Sequence, residues 1–270
     1  MGTTVDRNWL VGQLDHYLDP ELLPINIGVD VGQIHDPTAI CVSEVENKDT
    51  GRVRYTGPQT IGHHDEYGAW VPPTGQEPVM RSEYTVKQIR RLPLNTSYPD
   101  VAIHLADMLR KDVFKNRKVR LLIDVTGVGR PVYDALKLEM LMHYYNAEVN
   151  HHLSGGIEFK MSERHTLQLK PISFVHGEIY NRSKGTLGKA FLVSRLQTLF
   201  QWRRFHAPDT KEVKAMIEEL LVYEIKVDDK GKDTYGSFKT GAHDDLATAA
   251  GLSVLEDPYN EKVRYSDRVY

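Results

Sequence analysis

Apolar and polar positions alternate in the first part of the chain. Every second residue from Ile25 to Val31 is apolar, which predicts a strand that enters a core. The segment TAICVSEVE (38–46) alternates in the same way and predicts a second strand. A longer strand pair is expected between Arg52 and Leu94, interrupted at 63–78 by Pro and Gly residues that indicate an exposed loop. Three antiparallel strands therefore open the fold.

Helical periodicity follows and then alternates with strands. SYPD (97–100) indicates a helix start with Pro near the first position, and VRLLID (119–124) predicts a buried strand that ends at Asp124. The tight turn TGVGRP (126–131) precedes another helix, and AEVNHHL (147–153) predicts a fifth strand. This order favours an α/β fold with a mixed sheet and helices on both of its faces.

The second half of the chain is predicted to be mainly helical. Residues 154–186 show little periodicity and are expected to lack regular structure. Helices are predicted around Leu192–Leu199 and over 210–222, followed by a hairpin in YEIKVDDKGKDTYGSF (223–238) and a last helix that starts in AHDDL. The expected organisation is a leader or linker remnant (1–24), one domain (25–258) and a C-terminal tail (259–270).

Composition excludes several classes of protein. A net charge of -3 gives no overall electrostatic footprint for nucleic acid, so any DNA-binding surface must be a local basic patch. The single cysteine, Cys41, cannot form an internal disulfide and fits a reducing compartment. No run of about 18 apolar residues and no signal peptide is visible, so we expect a cytoplasmic protein without a membrane span.

Three carboxylates occupy related places in the predicted fold. Asp30 ends the first strand with Gly32 close behind, and Asp124 ends the fourth strand with Gly127 close behind. An ionised Asp in an apolar strand is costly unless it is paired or binds a cation. Because sites in open α/β sheets gather at the carboxyl ends of strands, the two side chains are expected to meet there, and a docking last helix could deliver Asp245.

The last helix distinguishes Asp245 from its neighbour Asp244. Small apolar residues from Leu246 to Ser253 predict a buried stripe, and Asp245 lies on the flank of that stripe. Asp244 lies further towards solvent and is expected to cap the helix N-terminus. Asp245 is therefore the first choice of metal ligand and Asp244 the second. Converging carboxylates repel one another unless a cation lies between them. Hard ions such as Mg²⁺ or Mn²⁺ prefer oxygen ligands, and two such ions suffice for phosphodiester cleavage.

GVDVGQIHDPTAICV, LLIDVTGVGRPVYDAL and GAHDDLATAAGLSV, in this order, resemble the nuclease domain of phage terminase large subunits. GKAFLVSRLQTLFQWRRFHAP is similar to the segment before the last motif of that family. The resemblance covers residues 25–256 and implies an RNase H-like fold and an Mg²⁺- or Mn²⁺-dependent endonuclease that cuts concatemeric viral DNA during packaging. Carried over, the acidic cluster falls on Asp30, Asp124 and Asp245, with His243 and Asp244 beside the third.

The resemblance also implies partners, and this chain departs from the family's pattern in two respects. A terminase nuclease in the host cytoplasm works on double-stranded DNA with an ATPase motor, a small terminase subunit and a portal. No G-x-x-x-x-G-K-[ST] motif occurs in this chain, so no ATPase activity is expected, and the motor is either a separate chain or a removed domain. Many relatives carry Asp where this chain has Thr248, which predicts weaker outer-sphere interactions around one of the two metal ions.

Basic residues near the last motif are candidates for DNA contacts. Lys189, Arg195, Arg203 and Arg204 could hold phosphates, or they could form a solvated helix face. Other functions also stay open: a Holliday-junction resolvase of the same fold, a degenerate nuclease that docks a portal or motor, or an actin-like ATP-binding protein. The actin-like hypothesis requires a late Gly-rich adenosine site, for which GAHDDLATAA is a poor candidate.

Overall fold

The computed structural model describes residues 22–32, 36–55, 63–64, 66–71, 75–177, 180–221, 224–227, 233–236 and 243–259. Most of the predicted leader (1–21) and of the predicted tail (260–270) lies outside these residues. Within the described ranges, no helix combines the length and the apolar character that a membrane span requires.

The strands in chain order are β1 (Ile25–Asp30), β2 (Ala39–Tyr55), β3 (His63–His64), β4 (Trp70–Val71), β5 (Gln76–Arg91), β6 (Lys118–Asp124), β7 (Glu148–His151), β8 (Ile157–Lys160), β9 (Thr166–Val175), β10 (Tyr180–Asn181), β11 (Thr186–Gly188), β12 (Phe205–His206), β13 (Glu224–Val227) and β14 (Asp233–Gly236). The α-helices are α1 (Tyr98–Leu109), α2 (Gly129–His143), α3 (Lys189–Gln201), α4 (Lys211–Leu221) and α5 (Asp245–Ser253). A 3-10 turn spans Asp112–Phe114.

One compact unit contains the described residues up to 45 and from 84 onwards, and β1 lies at the centre of its sheet. β1 pairs antiparallel with β2 and parallel with β6, and β6 pairs parallel with β9. β5 lies next to β2 in the strand order, on the side of β2 away from β1. The mixed sheet predicted from the sequence is confirmed.

Helices cover both faces of this sheet, as the sequence predicted. α1 and α2 pack on one apolar cluster, whereas α3, α4 and α5 pack on a second one. α1 begins where the sequence placed it, because the hydroxyl of its N-cap Ser97 accepts a hydrogen bond from the Asp100 amide at 3.3 Å. Capping and the buried apolar stripe act together at this helix start.

The prediction for residues 154–186 was wrong. These residues contain β8, β9, β10 and β11, and β9 is the strand that lies beside β6. The predicted fifth strand forms as β7 but pairs with β8 at the margin, off the main path of the sheet. Residues Thr166–Lys170 of β9 alternate between polar and apolar as a strand does, but Pro171 interrupts the pattern, and the half-buried Lys170 pairs with Glu256 at 2.5 Å.

α5 packs directly against β1, and a glycine allows the contact. A Cβ atom added to Gly28 would lie 2.0 Å from the carbonyl oxygen of Ala249, so no side chain fits there. The predicted one-sided stripe was wrong, because every residue of α5 from Asp245 to Ser253 is buried. The helix therefore runs inside the protein, and its N-terminus is fixed close to the end of β1.

Residues 46–83 form a second compact unit of their own. It consists of the outer parts of β2 and β5 with the short strands β3 and β4, and the Thr50 hydroxyl donates to the Val79 carbonyl at 2.6 Å. Tyr67 and Trp70 are mostly exposed, at 86% and 59%. The described residues of the predicted loop 63–78 therefore agree with an exposed segment that carries short strands.

Candidate metal centre

Asp30 and Asp124 end neighbouring parallel strands. Val29 is paired with Ile123, which places the two following aspartates side by side at the carboxyl edge of the sheet. Gly127 turns the chain after β6 with a φ of +67°, a conformation that favours glycine. The Asp124 carboxylate accepts a hydrogen bond from the Thr126 amide at 2.7 Å, so its orientation is fixed by the turn.

These two carboxyl groups share an electrostatic environment with both aspartates of the last motif. Burial, and then the charge of Asp124, raise the pKa of Asp30 well above its usual range, with Asp244 and Asp245 adding to the effect. Burial also raises the pKa of Asp124, to which Asp244 contributes by like-charge repulsion. Asp124, Asp244 and Asp245 therefore all act electrostatically on Asp30 at the carboxyl ends of the strands.

Asp244 stands at the N-cap position of α5 but does not use its side chain as a cap. The Asp244 carboxylate accepts no capping hydrogen bond, which contradicts the role predicted for it. Instead Lys189 Nζ donates to Asp244 Oδ2 at 3.0 Å. The Asp244 side chain is 24% exposed, so it remains accessible from the edge of the sheet.

Asp245 is more enclosed and is held by an arginine. Its side chain is 6% exposed, and Arg91 Nε donates to Asp245 Oδ2 at 2.6 Å. The same guanidinium pairs with Glu219, whose other oxygen accepts the Ala247 amide at 2.8 Å. Arg91 and Glu219 thus tie β5 and α4 to the first turn of α5.

His243 lies beside Asp36 and Asp245, and Gly32 follows Asp30 by two residues. His243 Nδ1 is 3.1 Å from Asp36 Oδ1 and 3.7 Å from Asp245 Oδ1. Asp36 occupies the bend before Pro37, and its carboxylate reaches His243. The amide of Gly32 donates to the Thr38 hydroxyl at 3.2 Å, which closes this bend.

The four predicted DNA-contacting residues occupy different places. Lys189 lies within the acidic cluster, whereas Arg195 Nη2 donates to the Tyr84 hydroxyl at 2.9 Å and its Nε donates to the Val254 carbonyl. Arg195 therefore acts at the C-terminal end of α5, away from the aspartates. Arg203 is exposed, with a φ of +52°, and Arg204 is partly exposed in the same turn after α3.

Sequence reasoning missed Arg91 and Glu219. The apolar stripe of α4 contains Val213 and Met216, and Glu219 continues it at helical spacing. Glu219 is therefore buried, at 6% exposed, although it is a carboxylate. A carboxylate on the buried face of a helix is costly unless it is paired, and that pattern was the available signal. Nothing in the sequence around Arg91 indicated its two partners.

Glu219 should make stability depend on pH near neutrality. Burial, with a contribution from Asp245, raises the pKa of Glu219 from its usual 4.5 to about 7. At pH values between these two, the folded state holds a proton that the unfolded state has lost. Stability should therefore fall as pH rises from about 5 to about 8, and Glu219→Gln should remove this component. Thermal melts in EDTA across that range should show the variant gaining on wild type with rising pH.

The exposed neighbour Glu218 supplies the matched control for this measurement. Glu218→Gln removes one carboxylate from the same helix turn and should follow the wild-type pH dependence. Parallel curves for wild type and Glu219→Gln would contradict the raised pKa.

The donor set consists of carboxylate oxygens, with one imidazole beside them. This chemistry suits hard divalent cations rather than thiophilic metals. Among the described residues, no three His, Cys, Asp or Glu side chains already stand close enough to hold one ion together. In this arrangement Asp244 is paired with Lys189 and Asp245 with Arg91.

Comparison with known proteins gave similarity at the level of solved structures. No family model matches the chain, and no curated protein matches it. The chain is similar to the magnesium-bound large terminase nuclease of thermophilic phage G20c, with 15% identity, a TM-score of 0.46 and coverage of 90% of this chain and 95% of that one.

Two further solved structures are similar over most of their length. The first is the manganese-bound nuclease domain of the bacteriophage SPP1 large terminase g2p, with 12% identity, a TM-score of 0.39 and coverage of 93% of this chain and 91% of that one. The manganese-soaked human cytomegalovirus terminase nuclease domain has 8% identity, a TM-score of 0.41 and coverage of 93% and 94%.

Proposed function

We propose that this chain is a metal-dependent DNA endonuclease of the phage terminase type. The observation that carries the proposal is the mutual electrostatic action of Asp30, Asp124, Asp244 and Asp245 at the carboxyl ends of two parallel strands. Acidic neighbours raise the cost of ionising Asp30 and Asp124, which is unusual for aspartates with a purely structural role. The ordered set of three sequence motifs supports the same conclusion.

Divalent cations fit this cluster because they remove the repulsion between its carboxylates. We infer that Asp30 and Asp124 hold Mg²⁺ or Mn²⁺ together with a third carboxylate from the start of α5. Two such ions would supply activation of water and stabilisation of the leaving oxygen. The chain's own contribution is to bring the acids together on rigid strand ends and to orient Asp124 through the Thr126 amide.

The contacts favour Asp244 as the third ligand, although the sequence made Asp245 the first choice. Asp244 acts on both Asp30 and Asp124 and is the more exposed of the pair. Asp245 is engaged by Arg91, which suits a residue that positions the first turn of α5. Asp244 would have to exchange Lys189 for the metal.

The substrate in this proposal is double-stranded DNA, cut with little sequence preference in the cytoplasm of an infected host cell. No base-reading motif accompanies the acidic cluster, and the exposed turn with Arg203 and Arg204 is our candidate for phosphate contacts. A packaging ATPase, a small terminase subunit and a portal are the partners that such a nuclease requires. The chain itself should neither bind nor hydrolyse ATP.

Plasmid cleavage tests the proposal directly. Wild-type protein should nick and linearise supercoiled plasmid in Mn²⁺ or Mg²⁺ and leave it intact in EDTA. Asp244→Asn should lose more activity than Asp245→Asn, because only the former removes a proposed ligand. Gel analysis of nicked and linear product over time measures both effects.

Three outcomes would change the conclusion. Cleavage that persists in EDTA would exclude metal dependence. Residual activity in Asp244→Asn with none in Asp245→Asn would return the third ligand to Asp245. Selective cutting of four-way junctions over linear duplex would favour the resolvase alternative.

A further inference from the structure

Lys189 stands at a position where a helix disfavours a positive charge. It is the first residue of α3, directly after the N-cap Gly188, and the first turn contains no acidic residue. The N-terminus of a helix carries the positive end of the helix dipole, so a lysine there is unfavourable unless an external group compensates. The compensation must come from outside α3.

The acidic cluster supplies that compensation. Lys189 Nζ donates to Asp244 Oδ2 at 3.0 Å, and the ammonium lies 5.4 Å from the centre of the Phe174 ring. The charge of Lys189 also acts on Asp30 and on Asp124, opposing their mutual repulsion. A single ammonium group thus interacts with three of the carboxylates assigned above to the metal centre.

We propose that Lys189 is an internal counter-ion of the cluster formed by Asp30, Asp124 and Asp244, and that a divalent cation binds by displacing it from Asp244. This inference rests on the proposed function. Lys189 is a positioning residue: without metal it holds Asp244 towards the two strand ends. Metal binding is then an exchange of one cation for another, so the affinity for metal is weaker than the carboxylates alone would give.

The exchange makes a prediction that a DNA-contacting lysine would not. Lys189→Met keeps an aliphatic side chain of similar length beside Phe174 but removes the competing charge. In the DNA-free protein it should bind Mn²⁺ about tenfold more tightly than wild type, because charges a few ångströms apart interact strongly in a partly desolvated site. In EDTA the same variant should melt at a lower temperature, because the carboxylates lose their counter-ion.

Isothermal titration of Mn²⁺ into the full chain, paired with thermal melts in EDTA, tests the proposal. Lys184→Met is the matched control, since Lys184 is exposed in the turn before β11. It should leave both the Mn²⁺ affinity and the EDTA melting temperature at wild-type values. Lys189→Arg should restore wild-type behaviour. Lys189→Gln, which keeps a donor for Asp244 without the charge, should match Lys189→Met and serves if the latter does not fold.

Equal or weaker Mn²⁺ binding by Lys189→Met and Lys189→Gln overturns the exchange while leaving the nuclease proposal standing. If wild type itself gives no Mn²⁺ binding, the nuclease proposal fails and the exchange fails with it. A lysine that serves only as a phosphate contact would change DNA binding and leave the DNA-free Mn²⁺ affinity unchanged.

Discussion

Replacing Asp30 by Asn should reduce plasmid cleavage by more than about 100-fold, and Asp124→Asn should do the same. Loss of a hydrogen-bonded partner behind a metal ligand typically costs about 10–100-fold, so loss of a ligand itself should exceed that range. The reason is that the amide cannot supply the negative charge that holds a hard cation between the strand ends. Initial rates of nicking in Mn²⁺ and in Mg²⁺ measure the effect.

Asp134→Asn is the control for this experiment. Asp134 is exposed on α2, 3.2 Å from Arg130, and lies outside the acidic cluster. Its substitution should leave the cleavage rate within about twofold of wild type, as surface changes of this kind rarely matter. Cleavage by Asp30→Asn at the wild-type rate would show that Asp30 is not part of the site and would contradict the central feature of the proposed function.

Mn²⁺ should stabilise the wild-type protein strongly in the absence of DNA. An ion that binds only the folded state adds about 2.7 kcal/mol at a hundred times its dissociation constant. Asp30→Asn should lose most of this gain, because it removes one of the proposed ligands. Thermal melts of both proteins with Mn²⁺ and with EDTA give the four values needed.

The EDTA arm separates a metal site from structural aspartates. Burial and Asp124 raise the pKa of Asp30, so the ionised Asp30 carboxylate costs stability at neutral pH, and Asn should be neutral or stabilising there. If Asp30 were only a turn cap, its loss would destabilise by about 1 kcal/mol and Mn²⁺ would have no effect. That pair of results would favour the docking-module alternative over the nuclease.

Much of the central fold could be predicted from local sequence. The alternation in β1, the cap at Ser97 and the apolar run of β6 depend on neighbours in the chain, and each formed where it was expected. The meeting of Asp30 and Asp124 required one further assumption, that β1 and β6 are adjacent. The parallel register of Val29 with Ile123 confirms that assumption.

The strand missed in 154–186 shows where local pattern fails. Lys170 in β9 has the polarity of a solvent-facing residue, yet its side chain is only 19% exposed and pairs with Glu256, a residue 86 positions later. An ion pair between distant residues leaves no mark on periodicity. Residues Thr166–Lys170 do alternate, but Pro171 interrupts the run, and irregular structure was predicted where the sheet has β9.

The sequence by itself determined the α/β class, strands β1 and β6, helix α1 and the two aspartates at the strand ends, because these follow from alternation, capping and strand order within short segments. Only the tertiary structure decided how the charges of the site are paired. Lys189 with Asp244, and Arg91 with Asp245, are separated by 55 and 154 positions in the chain. Such pairs depend on how α3, α5 and β5 converge, and local pattern carries no information about charges brought together from distant segments.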